Sequence, residues 1–137
     1  MSRIMCFDYG TKRVGIAVSD PMQMIAGALC TLHPDKVLDF IIDYKRSETI
    51  SCFVVGLPKN LDNSINEVER YIKGFIKKLN QNFPNIPVER IDERFTSVMA
   101  QKSMVMGGIK KSQRQEKGNT DQISATILLQ DYLRKKI

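Results

Sequence analysis

The sequence predicts an α/β fold: a mixed five-stranded sheet, three strands in an antiparallel meander followed by parallel strands, with helices on both faces. Three observations predict it. Short runs rich in Ile, Val, Phe and Cys fill residues 3–32 with turn residues between them. Beyond them, helix-like and strand-like apolar periods alternate. The later strand-like runs have marked ends, Gly56 and Pro58 after one and Asp92-Glu93 after the other, and sites are expected at the carboxyl ends of the parallel strands.

Taken in order, residues 3–8 and 13–19 are two strands joined by Tyr9–Lys12, whose glycine marks a hairpin. A third strand over Ile25–Leu32 completes the meander. Asp35–Glu48 sets Val37, Leu38, Ile41 and Ile42 at helical spacing, so the first amphipathic helix falls here. "ISCFVVGLP" is a buried strand stopped by Gly56 and Pro58. A long helix starts at Asn63-Ser64 on the stripe Ile65, Val68, Ile72, Phe75, Ile76 and Leu79, and ends before Pro84. "PVERID" is the fifth strand. Phe95–Met106 is a helix closed by Gly107-Gly108, and "IKKSQRQEKGN" is polar, basic and without a stripe, hence a loop. Thr120–Lys135 is the last helix, with Asn119 as N-cap and Gln122 in capping-box position.

A chain of 137 residues suits one domain, here 1–137, and 42% hydrophobic with 26% charged residues is the balance of a globular protein. No apolar run reaches the roughly 20 residues a membrane span requires, and the N-terminus lacks a secretory pattern, so the expected setting is the cytoplasm. Cys6, Cys30 and Cys52 have no metal or redox spacing and read as free thiols in strands; His33, next to Pro34, reads as a surface or capping residue. The net charge is +6, and residues 107–137 carry seven basic against three acidic residues. That asymmetry points to a polyanionic partner.

Three acids then stand out. Asp8 follows the first apolar run, Asp92-Glu93 ends the fifth strand, and Asp121 opens the last helix on the stripe Asp121, Ser124, Ala125, Leu128, Tyr132. If the first and last parallel strands lie near each other and that helix crosses the sheet, the acids converge. Converging carboxylates repel, which implies a bound cation or a shared proton, and oxygen ligands without His or Cys suit Mg2+ or Mn2+. Capping is the competing explanation: Asp121 favours a helix N-terminus with or without metal, and Asp92-Glu93 precedes a helix start. Lys12, Arg13 and Arg94 stand beside the acids in sequence as phosphate-seeking donors, although a Lys-Arg pair in a turn is also an ordinary exposed feature.

Together "FDYGTKRVGIAVSDP", "VVGLPKNLDNS", "DERFTS" and "DQISATILLQDYL" resemble the YqgF/RuvX family of Holliday junction resolvases, a branch of the RNase H-like superfamily. The resemblance runs through nearly the whole chain in order. It implies an RNase H-like fold and metal-dependent nuclease chemistry, with the family's acids falling on Asp8, Glu93 and Asp121. It also implies work on structured nucleic acid, either branched DNA or the precursor of the small-subunit ribosomal RNA, whose 5′ end a nuclease must mature.

The leading expectation is therefore a nuclease in which Asp8, Glu93 and Asp121 hold magnesium or manganese. Lys12, Arg13, Arg94 and the loop residues Lys110, Lys111, Arg114 and Lys117 would hold the nucleic-acid backbone. No membrane partner is expected, and the chain would be a monomer or a weak homodimer. The alternative is a nucleic-acid-binding module of the same fold without turnover. An ATPase or kinase half ranks third, since such proteins pair two domains of this kind.

Overall fold

A computed structural model describes residues 2–58, 67–93 and 117–136, and side chains in the last segment from Asp121 to Lys135. Among the described residues five strands form one sheet: β1 (Arg3–Tyr9), β2 (Val14–Ser19), β3 (Ala26–Leu32), β4 (Ile50–Leu57) and β5 (Val88–Asp92). Their order is β3-β2-β1-β4-β5. β1 pairs antiparallel with β2 and β2 with β3, whereas β1–β4 and β4–β5 are parallel, so the mixed α/β sheet is as expected. Central position explains the sequence of β1: Ile4, Met5, Cys6 and Phe7 are all fully buried, because both faces are covered.

Two helices cover one face. A single 3-10 turn at Pro34–Lys36 leads into α1 (Val37–Tyr44), and His33 caps that turn by accepting from the Asp35 amide at Nδ1. α2 (Glu69–Asn82) buries Ile72, Phe75 and Leu79 on this side. The packing is aromatic: Phe7 meets Phe53 and Phe75, Tyr9 stacks on Phe75 with centroids 5.0 Å apart, and Phe53 meets Phe83.

Among the described residues the other face carries one long helix, α3 (Lys117–Lys136). It packs over β1, β2 and β3, with Ala125, Leu128, Leu129 and Leu133 buried against Ile4, Cys6, Ala17, Val54 and Ile91. Its start corrects the sequence reading. Lys117 was expected in the basic loop and Asn119 as an N-cap, yet both lie inside the helix. Once the packed turn at Ser124–Ala125 exists, each further residue adds a backbone hydrogen bond, and propagation overrides the weak propensities of Gly118 and Asn119. The cysteines are free thiols, Cys6 and Cys52 buried and Cys30 half-buried. No helix among the described residues is long and apolar enough to cross a membrane.

Candidate active site

The strand period of two sorts the end of β1. Ile4 and Cys6 face α3, so Asp8 does too, while Met5, Phe7 and Tyr9 face α1 and α2. Asp8 pairs across the ladder with Gly15 of β2, and the step after the Phe7–Val55 pair brings Gly56 of β4 to its other side. One acid thus sits in a row between two glycines.

Each glycine makes room for another acid. A Cβ at Gly15 would run into the backbone oxygen of Asp121, so only a bare backbone lets α3 come down onto β2 at Asp121. At Gly56 a Cβ would meet Glu93 Oε2 at 3.2 Å and Leu128 Cδ1 at 3.1 Å, which places the Glu93 carboxylate over Gly56, one strand from Asp8. Ile91 faces α3, so Asp92, the last residue of β5, faces the other way, whereas Glu93 just beyond the strand is 8% exposed with its carboxylate over Gly56. Glu93 rather than its neighbour is therefore on the side of Asp8. Burial pushes the pKa of the Cys6 thiol well up, and the fields of Asp8 and Glu93 push it further the same way.

A cavity of about 300 Å³ opens at this edge, lined by Asp8, the hairpin turn Tyr9–Arg13 and Asp121. The turn is closed by Gly10 N–H donating to the Arg13 carbonyl at 2.9 Å. Arg13 Nε in turn donates to Asp121 Oδ2 at 2.7 Å, a half-exposed ion pair that ties the hairpin to α3. Lys12 is exposed on the same turn. Of the expected site residues the structure thus brings Asp8, Asp121, Lys12 and Arg13 to one cavity and sets Glu93 beside it, with β4 intervening between β1 and β5. Arg94, Lys110, Lys111 and Arg114 lie outside the described residues, and Lys117 is described only as helical backbone.

Sequence reasoning missed Gly15 and treated Gly56 mainly as a strand terminator. It also missed Arg90, which grips the Glu69 carboxylate with two bonds of 3.0 and 2.7 Å and donates to the Val55 and Gly56 carbonyls at 3.2 and 2.9 Å. That clamp fixes the end of β4, and with it the floor under Glu93, to the first turn of α2. An arginine at mid-strand two residues before the acid pair was the available signal.

Among the described residues no three His, Cys, Asp or Glu side chains are grouped tightly enough to hold an ion as they stand, and Arg13 engages one oxygen of Asp121. What fits is an oxygen-only pair, Asp8 and Asp121, on one open cavity with a third carboxylate one strand away, the donor chemistry of a hard cation.

A family model described as RuvX, Holliday junction resolvase, matches residues 2–135. A protein of Bacteroides fragilis named "Putative pre-16S rRNA nuclease" is 48% identical over 136 residues, covering 99% of each chain. One of Flavobacterium psychrophilum with the same name is 45% identical over 137 residues, covering 100% of each. In fold the chain is similar to the RuvC of "T. thermophilus RuvC in complex with Holliday junction substrate", with a TM-score of 0.59 at 14% identity over 99% of this chain and 96% of that one. The acid-and-glycine row, the hairpin beside it and the match along nearly the whole length lead to one conclusion: the chain belongs to the RuvX family.

Proposed function

We propose that this protein is a divalent-metal-dependent nuclease that hydrolyses phosphodiester bonds in structured nucleic acid, with Asp8, Glu93 and Asp121 as its metal ligands. The observation that carries this reading is the convergence of Asp8 and Asp121, from a strand end and a helix, on one open cavity rimmed by Lys12 and Arg13. The names of its relatives support ribosomal RNA maturation as the task, and the family description supports branched DNA. A magnesium or manganese ion, when bound, would activate water and stabilise charge on the phosphoryl group.

The chain's own residues have separable parts in this. Asp8, fixed in mid-row by its two glycine neighbours, and Asp121, carried by α3, present oxygens to the cavity. Glu93, over Gly56, supplies the third carboxylate. Lys12 on the exposed turn is placed to hold a phosphate, and Arg13 keeps Asp121 oriented until phosphate or cation competes for it. Cutting two strands of a junction symmetrically requires two copies of the site, whereas trimming one RNA end requires one.

The test is cleavage of a four-way DNA junction and of a precursor-rRNA 5′ fragment, each with manganese and with chelator, for the parent and for Asp8→Asn. Cleavage of either substrate that needs manganese and disappears in Asp8→Asn is expected. The variant should fold, and its thermal midpoint should no longer rise on adding manganese as that of the parent does. Undiminished manganese-dependent cleavage by Asp8→Asn would sink the assignment of this acid. Binding without cleavage would favour the non-catalytic module.

A further inference from the structure

On the far side of the hairpin turn from Asp121, two more cavities continue from the first. One, of about 440 Å³, is lined by Thr11, Arg70 and Tyr71; the next, of about 380 Å³, by Tyr9, Arg70, Tyr71, Gly74 and Lys78. Tyr9 and Thr11 also line the cavity of the acids, so the three cavities neighbour one another around the hairpin. The two on the α2 side share Arg70 and Tyr71 and form a trough along the outer face of α2, next to the acid cavity.

Its chemistry differs from that of the acid site. Tyr71, Gly74 and Lys78 form a stripe at spacing three and four along α2, beside the buried stripe Ile72, Phe75, Leu79. Tyr71 is 47% exposed, a large ring left in solvent, and the Arg70 guanidinium lies over it at 5.0 Å while donating to its hydroxyl. Exposed aromatic faces also stack on planar bases, and a base on Tyr71 would take the place of Arg70 and release the guanidinium to a phosphate. Gly74 is the unusual member. A glycine inside a helix costs about 1 kcal/mol relative to alanine. Yet among the described residues nothing lies within 4 Å of where its Cβ would be, so packing gives no reason for it. The empty position is in the trough wall. Glu67 and Asp35 also border the two cavities, so the cations there are Arg70 and Lys78 against two acids, too balanced for a purely electrostatic duplex track.

We propose that this trough binds an unpaired strand of nucleic acid next to the cleavage point, with a base stacked on Tyr71, the backbone passing Gly74, and phosphates held by Arg70 and Lys78. A base can reach such a ring only when it is out of a duplex, which selects a single-stranded segment. The Arg90–Glu69 clamp anchors the turn of α2 that carries Arg70 and Tyr71 to the middle of β5 and the end of β4. The proposal rests on the nuclease reading for its substrate.

The test is fluorescence anisotropy in chelator with a labelled twelve-nucleotide single strand and a blunt duplex, for the full chain and for Tyr71→Ala, Tyr71→Phe, Gly74→Ala and Gly74→Leu. Tyr71→Ala should weaken single-strand binding at least roughly fivefold and Tyr71→Phe should restore most of it. Gly74→Ala should raise the thermal midpoint, since helix propensity improves without a clash, and Gly74→Leu should weaken single-strand binding by filling the wall. Loss of less than twofold in both Tyr71→Ala and Gly74→Leu, or equal losses on single strand and blunt duplex, would overturn the proposal. Cleavage with manganese is scored separately: a parent that binds the single strand through Tyr71 and cuts nothing would refute the nuclease reading and leave the trough standing.

Discussion

The two faces of the sheet are built from the same strands to opposite ends. The face under α1 and α2 is filled by large rings, Phe7, Phe53, Phe75 and Phe83, interlocked at centroid distances between 5.2 and 5.7 Å. The strand face under α3 carries no ring: Ile4, Cys6, Ala17, Cys52, Val54 and Ile91, then the glycines Gly15 and Gly56 at the site edge. Large side chains hold helices away from a sheet, and small ones let a helix descend until its backbone touches a strand. Small residues at the edge of the second face let an aspartate on a helix, one on a strand and a glutamate after another strand share one edge.

Substitutions can break this contrast, beginning with the largest effect. Phe53→Ala empties the centre of the ring-packed face and should cost about 3–5 kcal/mol, lowering the thermal midpoint by more than about 10 °C. Thermal unfolding followed by circular dichroism checks it. The acids on the other face should still support cleavage in the fraction that remains folded.

Gly15→Ala is the counterpart on the small-residue face. The added methyl would press on the Asp121 backbone, which cannot rotate away, so the start of α3 must shift, at about 1–3 kcal/mol. Nuclease activity should fall much further than stability, because Asp121 moves with that turn. Gly27→Ala is the control: its Cβ would meet only the Val18 oxygen, at 3.8 Å, so stability should hold or rise slightly. Equal behaviour of the two variants would show that the close approach of α3 does not matter.

The smallest effect lies away from both faces, at the β2–β3 turn. Asp20 accepts from the Met22, Met24 and Ile25 amides, and these bonds, with those to Ile25 and Met24 the largest, hold its pKa below the ordinary aspartate value of 3.8. Its contribution to stability is therefore present above that value and fades as the pH falls through the lowered one. Asp20→Ala should reduce the midpoint slightly at neutral pH, with the gap to the parent closing in strong acid. A gap that stays constant down to pH 2 would remove the carboxylate as its cause.

How much of this was legible beforehand follows from the range of each interaction. Period-two runs announced the strands, and the stripe Ser124, Ala125, Leu128 announced the buried side of α3, because alternation and helical spacing are local patterns. The start of α3 was misread by the same local logic, since capping residues at 119 and 122 mark a helix start only when nothing favours extending it. Asp8 was conspicuous because an acid at a buried strand end has no local excuse. The Gly15 contact was invisible: a glycine in a strand is a weakness until the helix that needs its missing side chain, more than a hundred residues later, is in place.

Hydrophobic period and residue type within a few positions were enough for the five strands, the mixed sheet and three candidate acids. Tertiary structure alone decided that β4 separates β1 from β5, so that Glu93 reaches toward Asp8 over Gly56, and that Arg13 pairs with Asp121 across 108 positions of chain. It alone joined Tyr9 to Tyr71 in one trough. The physical reason is that strand order and helix descent minimise the energy of the whole packed sheet, and no segment carries that sum in its own residues.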